Sequence, residues 1–306
     1  MTAPDRMKLI YNGATGGLGQ YLGEIAVDNG LDAYAIRSRV HDVGGLREEL
    51  ARLPPAHTVT FVHLAGLVSV TACESDPDLA YSINVEGARW TLETMYEWAA
   101  AHGVSLRPVY VSSGHVYAAK PSNMTTSELD AIQPRSVYAR TKLAAEEELH
   151  ELASRLGAPL EVARVFGLLA PRQKPWFVFP SLIRRAVEDR LSDIPGLDAV
   201  RDYLDARDIC RGLLLLASSG GQGTTTTNLC SGTPVSIRDL LAAILSELDP
   251  ERGPQRAELA RSGPSRPDDV PWLVGDPSRF IRRTGQLPRT IPLSRTVHEA
   301  VAAARK

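Results

Sequence analysis

The sequence predicts an α/β fold, doubly wound around a parallel sheet, with a smaller, loop-rich C-terminal lobe. Three observations carry this expectation. An apolar run, Lys8-Leu9-Ile10-Tyr11, meets the glycine-rich stretch Gly13-Ala14-Thr15-Gly16-Gly17-Leu18-Gly19. Leu18, Leu22, Ile25 and Ala26 then recur at helical spacing, and a second apolar run follows at Ala33-Tyr34-Ala35-Ile36. Strand, glycine turn, helix and strand in that order form a βαβ beginning, which requires a parallel sheet. Finally, apolar runs keep alternating with helical patterns up to about Phe166, and the pattern breaks up beyond Pro171.

The elements follow in order. Gly30 is a suitable stop for the first helix, since a residue just past a helix end often adopts a left-handed backbone. Thr58 to Leu64 reads as the third strand, ending in His63-Leu64-Ala65-Gly66. Asp76-Pro77 supplies a capping carboxylate and a proline preset for a first helical turn, opening a helix to about Ala101. Pro108 to Ser113 is a fourth strand. A polar, turn-rich loop from Lys120 to Pro134 leads to a helix from about Ser136 to Leu156, and Leu160 to Phe166 is a fifth strand. Pro175, Pro180, Pro195 and the stretch from Asp193 to Asp205 then suggest a loop-rich lobe. Within it, Asp208 to Ala217 looks helical, and Thr225 to Cys230 looks like a strand returning to the sheet. Ser236 caps a helix through Leu248. Asp249 to Pro271, rich in Pro, Gly and Arg, reads as an irregular excursion. Asp276-Pro277 and Ser294 open two last helices. Because the glycine-rich turn between its first strand and first helix is where doubly wound sheets take a dinucleotide, the stretch 1–170 is expected to form a dinucleotide-binding domain, with 206–232 returning to it, and 171–306 mainly a substrate-binding lobe.

Composition excludes several classes. The chain has 306 residues, 43% of them hydrophobic and 23% charged, as in an ordinary globular protein. A net charge of -2 provides no basic field to attract nucleic acid. The three cysteines, Cys73, Cys210 and Cys230, form no CxxC pair, which favours a reduced, cytoplasmic protein without structural zinc. No apolar leader precedes the first strand, and no apolar run would span a bilayer, so no membrane association is expected.

Gly13, Gly16 and Gly19 have the spacing G-x-x-G-x-x-G. The first permits a tight turn, the second lets backbone approach a pyrophosphate, and the third lets helix pack on sheet. The diphosphate would rest on the helix N-terminus, against Thr15, Gly16, Gly17 and Leu18, where free N–H groups and the helix dipole favour anions. The second strand ends in Arg37-Ser38-Arg39, where an NAD-preferring protein usually carries an acid for the ribose 2′-hydroxyl. Two guanidiniums suit a 2′-phosphate instead, through charge-assisted contacts. NADP(H) is the preferred cofactor on this reading and NAD(H) a possible one; a solvated pair of surface arginines is the alternative. Asp42 would sit near the adenine.

Tyr138 and Lys142 are four apart and share one helix face. An ammonium beside a phenol lowers the phenol's pKa, and a tuned phenol can exchange a proton with an alcohol/carbonyl pair. Ser113 stands at the carboxyl end of its strand, where open α/β sheets place ligands, and could hydrogen-bond a carbonyl. Lys142 could also hold the nicotinamide ribose.

With these residues in place, the chain resembles the extended short-chain dehydrogenases/reductases, the NAD-dependent epimerase/dehydratase family, especially the members acting on nucleotide-diphosphate sugars. The resemblance covers nearly the whole length. It includes Gly13 to Gly19, His63-Leu64-Ala65-Gly66, Asn84-Val85-Glu86-Gly87, Val111 to Tyr117 and Tyr138 to Lys142. In the second half it includes Arg201 to Asp208, Asn228 to Gly232 and Arg266 to Asp269. It implies a Rossmann-type sheet and a catalytic set of Ser113, Tyr138 and Lys142. It adds Leu64, Ala65, Gly66 and Asn84 to the cofactor contacts, and Gly114 and His115 beside Ser113 to the substrate pocket. Arg201 and Arg266 are implied contacts to a sugar nucleotide, an ordinary lobe-anchoring salt bridge being the other reading for each. A homodimer, formed by pairing the helices Asp76–Ala101 and Ser136–Leu156 with those of a second copy, is also implied.

Two departures narrow the activity. Similar 4,6-dehydratases carry Asp-Glu directly after the active-site hydroxyl residue to eliminate water; here those positions are Gly114 and His115. His115 could wall the pocket, donate a proton or turn away from the site. Many relatives have Asn where this chain has Gly167, and that asparagine commonly touches the substrate's diphosphate. The leading expectation is an NADPH-dependent ketoreductase of a nucleotide-diphosphate keto-deoxysugar, with reduction at C4. An NAD-dependent 4-epimerase, a reductase of a non-sugar ketone or aldehyde, and a non-catalytic NADP-binding regulator are the alternatives.

Overall fold

A computed structural model describes residues 8–54, 56–221, 223–264 and 269–305. The first half alternates strictly: β1 (Lys8–Tyr11), α1 (Gly19–Asp28), β2 (Asp32–Ala35), α2 (Val43–Ala51), β3 (Thr58–His63), the short α3 (Val70–Ser75) and α4 (Pro77–Tyr81), α5 (Gly87–His102), β4 (Ser105–Ser113), α6 (Val137–Leu156) and β5 (Leu160–Val165). The second half holds β6 (Gly167–Leu169), α7 (Val178–Val187), β7 (Ile194–Pro195), β8 (Val200–Asp205), α8 (Ala206–Ser218) and β9 (Thr224–Leu229). It ends with β10 (Pro234–Ser236), α9 (Ile237–Leu248), α10 (Gly253–Glu258), β11 (Ser262–Gly263), β12 (Trp272–Leu273), α11 (Ser278–Thr284) and α12 (Leu293–Ala304).

Six strands form one parallel sheet in the order β2-β1-β3-β4-β5-β9. The chain moves outward from β1 to β2 and then crosses back over β1 to β3. Strand order reverses there, opening a crevice at the carboxyl ends of β1 and β3, where such sheets bind ligands. Successive side chains point to opposite faces. Leu9, Val62, Val109 and Ala163 therefore join Leu22 and Ile25 of α1 and Leu213 and Leu216 of α8 on one side. Ile10, Phe61, Tyr110 and Val162 join Leu92 and Met95 of α5 and Leu149 and Leu152 of α6 on the other. Strands covered on both faces are mostly apolar, which is why the inner strands β1 and β3 read as short apolar runs, while the edge strands β2 and β9 carry polar residues.

The lobe is built around a smaller sheet in which β8 pairs with β10, β12 and β6. Buried carboxylates tie it together. Asp202, on β8, accepts from the Ser231 N–H (2.8 Å) and hydroxyl (2.6 Å) and from the Gly232 N–H (2.7 Å). Asp208 accepts from the N–H groups of Thr290 (3.0 Å) and Ile291 (2.9 Å), anchoring the C-terminal segment.

Three expectations need correction. The helix expected from Asp76 to Ala101 is broken by a π-turn at Ser82–Glu86, between α4 and α5. The stretch from Pro171 to Asp205 contains α7 and β8 besides loops. The excursion from Asp249 to Pro271 contains α10 and β11. No described helix is long and apolar enough to cross a membrane.

Candidate active site

The glycine turn and the segment after β3 are fitted against one another at the crevice. Gly13 has φ +69°, and a Cβ there would stand 2.8 Å from the Ala65 nitrogen and 2.9 Å from the Leu64 carbonyl carbon. A Cβ on Gly19 would stand 2.2 Å from the Gly13 oxygen, so α1 can begin this close to the turn only with glycine. Asn12, which sequence reasoning passed over, joins the two segments. Its Oδ1 accepts from the Leu64 (2.8 Å) and Ala65 (2.9 Å) N–H groups, and its Nδ2 donates to His63 Nδ1 (3.0 Å). Burial, with Lys142 next in effect, holds His63 neutral, its pKa lowered to about 3, which leaves one ring nitrogen free to accept; the Asn12 amide selects the tautomer in which that nitrogen is Nδ1. The start of α1 has no side-chain cap and no acid in its first turn. Gln20, Tyr21 and Leu22 already donate to the carbonyls of Gly16 and Leu18, so an anion would meet the amides just before them, from Gly17 to Gly19, beside the exposed Thr15 and Gly16. This cradle fits the diphosphate of a dinucleotide.

The loop after β2 leaves Arg37 and Arg39 exposed. Asp42, expected near an adenine, caps α2: its Oδ1 accepts from the Gly45 N–H at 2.8 Å. Asn84 sits in the π-turn and is buried. Its Oδ1 accepts from the Leu67 N–H (2.7 Å), while Nδ2 donates to the Leu67 carbonyl (3.0 Å) and the Thr141 hydroxyl (2.9 Å). Its amide thus holds the end of the Leu64–Gly66 segment against α6 rather than standing open to a ligand. π-turns of this kind frequently occur at functional sites.

Ser113 ends β4, and Tyr138 lies in the first turn of α6, whose cap is the Ser136 hydroxyl accepting from the Ala139 N–H (3.1 Å). The Ser113 hydroxyl hydrogen-bonds the Tyr138 phenol. Burial raises the Tyr138 pKa to about 12, and the Ser113 bond works against that rise. Lys142 is buried one turn further on. Its Nζ donates to the Val111 carbonyl (2.9 Å) and the Tyr110 hydroxyl (3.4 Å) and lies 3.7 Å from where a Cβ on Gly66 would stand. Burial lowers its pKa to about 8. The expected lowering of the Tyr138 pKa by Lys142 is thus not what this arrangement gives. The ammonium is directed at Val111 and Tyr110, desolvation dominates the phenol, and Ser113 supplies the opposing hydrogen bond.

On the substrate side, Gly114 and His115 begin a short turn in which the His115 N–H donates to Ser113 Oγ (3.2 Å). A Cβ on Gly114 would stand 2.9 Å from the Phe166 ring, so an acid cannot enter this position without displacing that aromatic. A Cβ on Gly167 would stand 2.4 Å from the Asp202 carbonyl oxygen. The glycine is required by the close pairing of β6 with β8, and an asparagine there would separate them. Arg201 is ion-paired with Asp269 (2.6 Å) and also donates to the Val200 carbonyl (2.9 Å), the lobe-anchoring alternative of its two readings. Arg266 lies outside the described residues.

Known proteins resemble this chain in sequence and in fold. The model of the NAD dependent epimerase/dehydratase family matches residues 12–230. GDP-6-deoxy-D-mannose reductase of Pseudomonas aeruginosa is 30% identical over 79% of this chain and 79% of its own length. GDP-6-deoxy-D-talose 4-dehydrogenase of Aggregatibacter actinomycetemcomitans is 24% identical over 73% of this chain and 72% of its own. The solved structure of RMD from Pseudomonas aeruginosa complexed with NADPH is 25% identical, covers 98% of this chain and 100% of that one, and superposes with a TM-score of 0.82.

Proposed function

The chain belongs to the NAD dependent epimerase/dehydratase family, and on that premise we propose that it is an NADPH-dependent ketoreductase of a nucleotide-diphosphate keto-deoxysugar, acting at C4. The observation that carries this reading is the Tyr138 phenol, protonated at neutral pH and hydrogen-bonded to Ser113 at the carboxyl end of β4. The adjoining position is a glycine closed against Phe166, so the acid needed to eliminate water is absent there. Similarity to a GDP-6-deoxy-D-mannose reductase and to a 4-dehydrogenase supports the substrate class and the position.

NADPH, when bound, supplies hydride to the carbonyl carbon. The chain does the rest. The amides at the start of α1 take the diphosphate, and Arg37 and Arg39 take the 2′-phosphate. Ser113 orients the carbonyl oxygen, and Tyr138 gives the proton that the alkoxide needs. Lys142, between Gly66 and Val111, holds the ribose and keeps a positive charge near the reacting oxygen. Much of the acceleration comes from holding carbonyl and cofactor together, since the hydride chemistry belongs to the cofactor.

The purified protein is expected to oxidise NADPH in the presence of a GDP-linked 4-keto-6-deoxy sugar, followed as loss of absorbance in the reduced-nicotinamide band. Turnover with simple ketones and none with any sugar nucleotide would refute the substrate class. Protein that carries tightly bound NAD and interconverts two 4-hydroxy sugars without consuming NADPH would identify an epimerase.

We further propose a homodimer in which the outer faces of α4, α5 and α6 pair with a second copy, supported by the exposed Leu79 and Tyr81 on α4. Light scattering should give twice the chain mass of 33.2 kDa, and a monomer at micromolar concentration would refute it. Three free, buried thiols, Cys73, Cys210 and Cys230, suit the reducing cytoplasm.

A further inference from the structure

Arg37 and Arg39 are exposed, but the backbone that carries them is fixed by a residue with no assigned role. Glu49, in the last turn of α2, reaches back to the end of β2. Its carboxylate accepts from the Arg37 N–H (3.0 Å), the Ser38 N–H (2.7 Å) and the Tyr34 phenol (2.8 Å), and from the Ser38 hydroxyl. Burial alone would raise the Glu49 pKa. The Ser38 hydroxyl and the two amides outweigh it, and the group stays below the ordinary carboxylate value. The rest of the loop is held by packing. Val40 lies against α5, where a Cβ on Gly87 would stand 2.5 Å from its methyl, and His41 meets Trp90 edge-on at 5.7 Å. Because β2 is the edge strand of the sheet, no further strand among the described residues pairs beyond it.

A phosphate meeting a loop of this kind can be bound by backbone N–H groups, by a hydroxyl and by guanidiniums. Here the Arg37 and Ser38 N–H groups and the Ser38 hydroxyl already serve a carboxylate. We propose that Glu49 is a positioning residue for cofactor discrimination: it locks the Arg37–Ser38 backbone and leaves recognition of a 2′-phosphate to the two guanidiniums alone. This rests on the NADPH reading above. An acid near the end of β2 would ordinarily favour NAD by accepting from ribose hydroxyls. Glu49 does not act so, because its oxygens are committed to four protein donors.

The test compares adenosine 2′,5′-bisphosphate with 5′-AMP by calorimetry on the full chain. In Glu49→Gln the side chain keeps one acceptor oxygen and turns an NH2 group toward donors, so the loop is released. Affinity for the bisphosphate should fall about tenfold and that for 5′-AMP less than about twofold, the size expected from loss of a charge-assisted hydrogen bond that orders one loop. Equal losses for both ligands would reduce Glu49 to a structural residue and overturn the proposal. A gain in bisphosphate affinity would also overturn it, since Glu49 would then be competing with the phosphate. If wild-type protein binds the two ligands equally, the NADPH reading itself fails. If wild type prefers the bisphosphate and Glu49→Gln preserves the preference, only the role of Glu49 fails. Tyr34→Phe removes one of the four bonds without introducing a donor, and should shift the same ratio in the same direction by less should Glu49→Gln not fold.

Discussion

Tyr138→Phe is expected to lower kcat by about 10³-fold, equivalent to ~4 kcal/mol of transition-state stabilisation, while the protein stays folded. The phenylalanine fills the same space, so packing against Cys73, Ala80 and Val137 is kept. What disappears is the phenol proton that the proposed mechanism gives to the developing alkoxide. The Ser113 hydroxyl remains, but it loses its phenol partner and cannot supply a proton without becoming an alkoxide itself. The sign of the pH dependence follows from the two shifted groups. Tyr138, raised to about 12, stays protonated through the neutral range, as reduction requires. Lys142, lowered to about 8, loses its charge first as pH rises. Reduction should therefore be flat below that value and fall above it, with a single limb set by Lys142. Tyr138→Phe should lose rate across the whole range without moving that limb. Steady-state kinetics over pH decides the matter. A variant that keeps more than about a tenth of kcat would show that a proton comes from elsewhere, since general acids typically contribute at least 10²-fold.

The residues that make this prediction possible were legible in the sequence because each carries a local signal. Glycines at turn spacing, an exposed-end serine on an apolar strand and a helix-spaced Tyr/Lys pair can all be found without knowing what lies across the fold. The sheet was legible for a related reason. A parallel sheet covered on both faces turns its inner strands into apolar runs, whereas β9, at the sheet edge, opens on four threonines whose β-branching rather than apolarity marks it as a strand. The failures have physical causes too. Pro180 was read as a break, yet it falls in the first turn of α7, where a missing N–H costs nothing. β8 has no clear pattern of its own, because its stability comes from β6, β10 and β12. The π-turn leaves no mark on helical periodicity; its Asn84 is explained only by Leu67 and Thr141 across the fold. Asn12 had the best available signal, a polar residue between a strand end and the first glycine. Glu49 had none, since its partners are set by how α2 packs back on β2. The direction of the Lys142 ammonium was equally invisible: sequence spacing gives the shared helix face but not the competing Val111 carbonyl.

Arg164→Met is expected to cost roughly 3–5 kcal/mol of stability, the size found when one member of a buried ion pair is removed. Glu146 lies one helical turn beyond Lys142 and is 2% exposed. Arg164, on β5, holds it with two nitrogens: Nη2 at 2.6 Å from Oε2 and Nε at 3.0 Å from Oε1. The Ser112 hydroxyl donates to the same carboxylate from β4, and the guanidinium carbon lies 4.7 Å above the Tyr117 ring. Tyr117 in turn donates to Asn228 on β9 at 2.7 Å. Removing Arg164 leaves the Glu146 carboxyl buried without its guanidinium, with the Ser112 hydroxyl still bonded to it. The low dielectric that strengthened the pair then penalises the survivor. Methionine restores most of the volume, so the loss reports charge rather than cavity. The double variant Arg164→Met/Glu146→Leu removes both charges and should recover most of the stability, because a buried pair exchanged for apolar side chains is often close to neutral. Chemical denaturation of the wild type, the two single variants and the double variant gives the coupling directly. Additive losses in that cycle would mean that the pair is not the unit of stability beneath this site. Strong coupling would identify the pair as the fixed point joining α6, β4 and β5, and thereby the support that sets Lys142 and Ser113 in place.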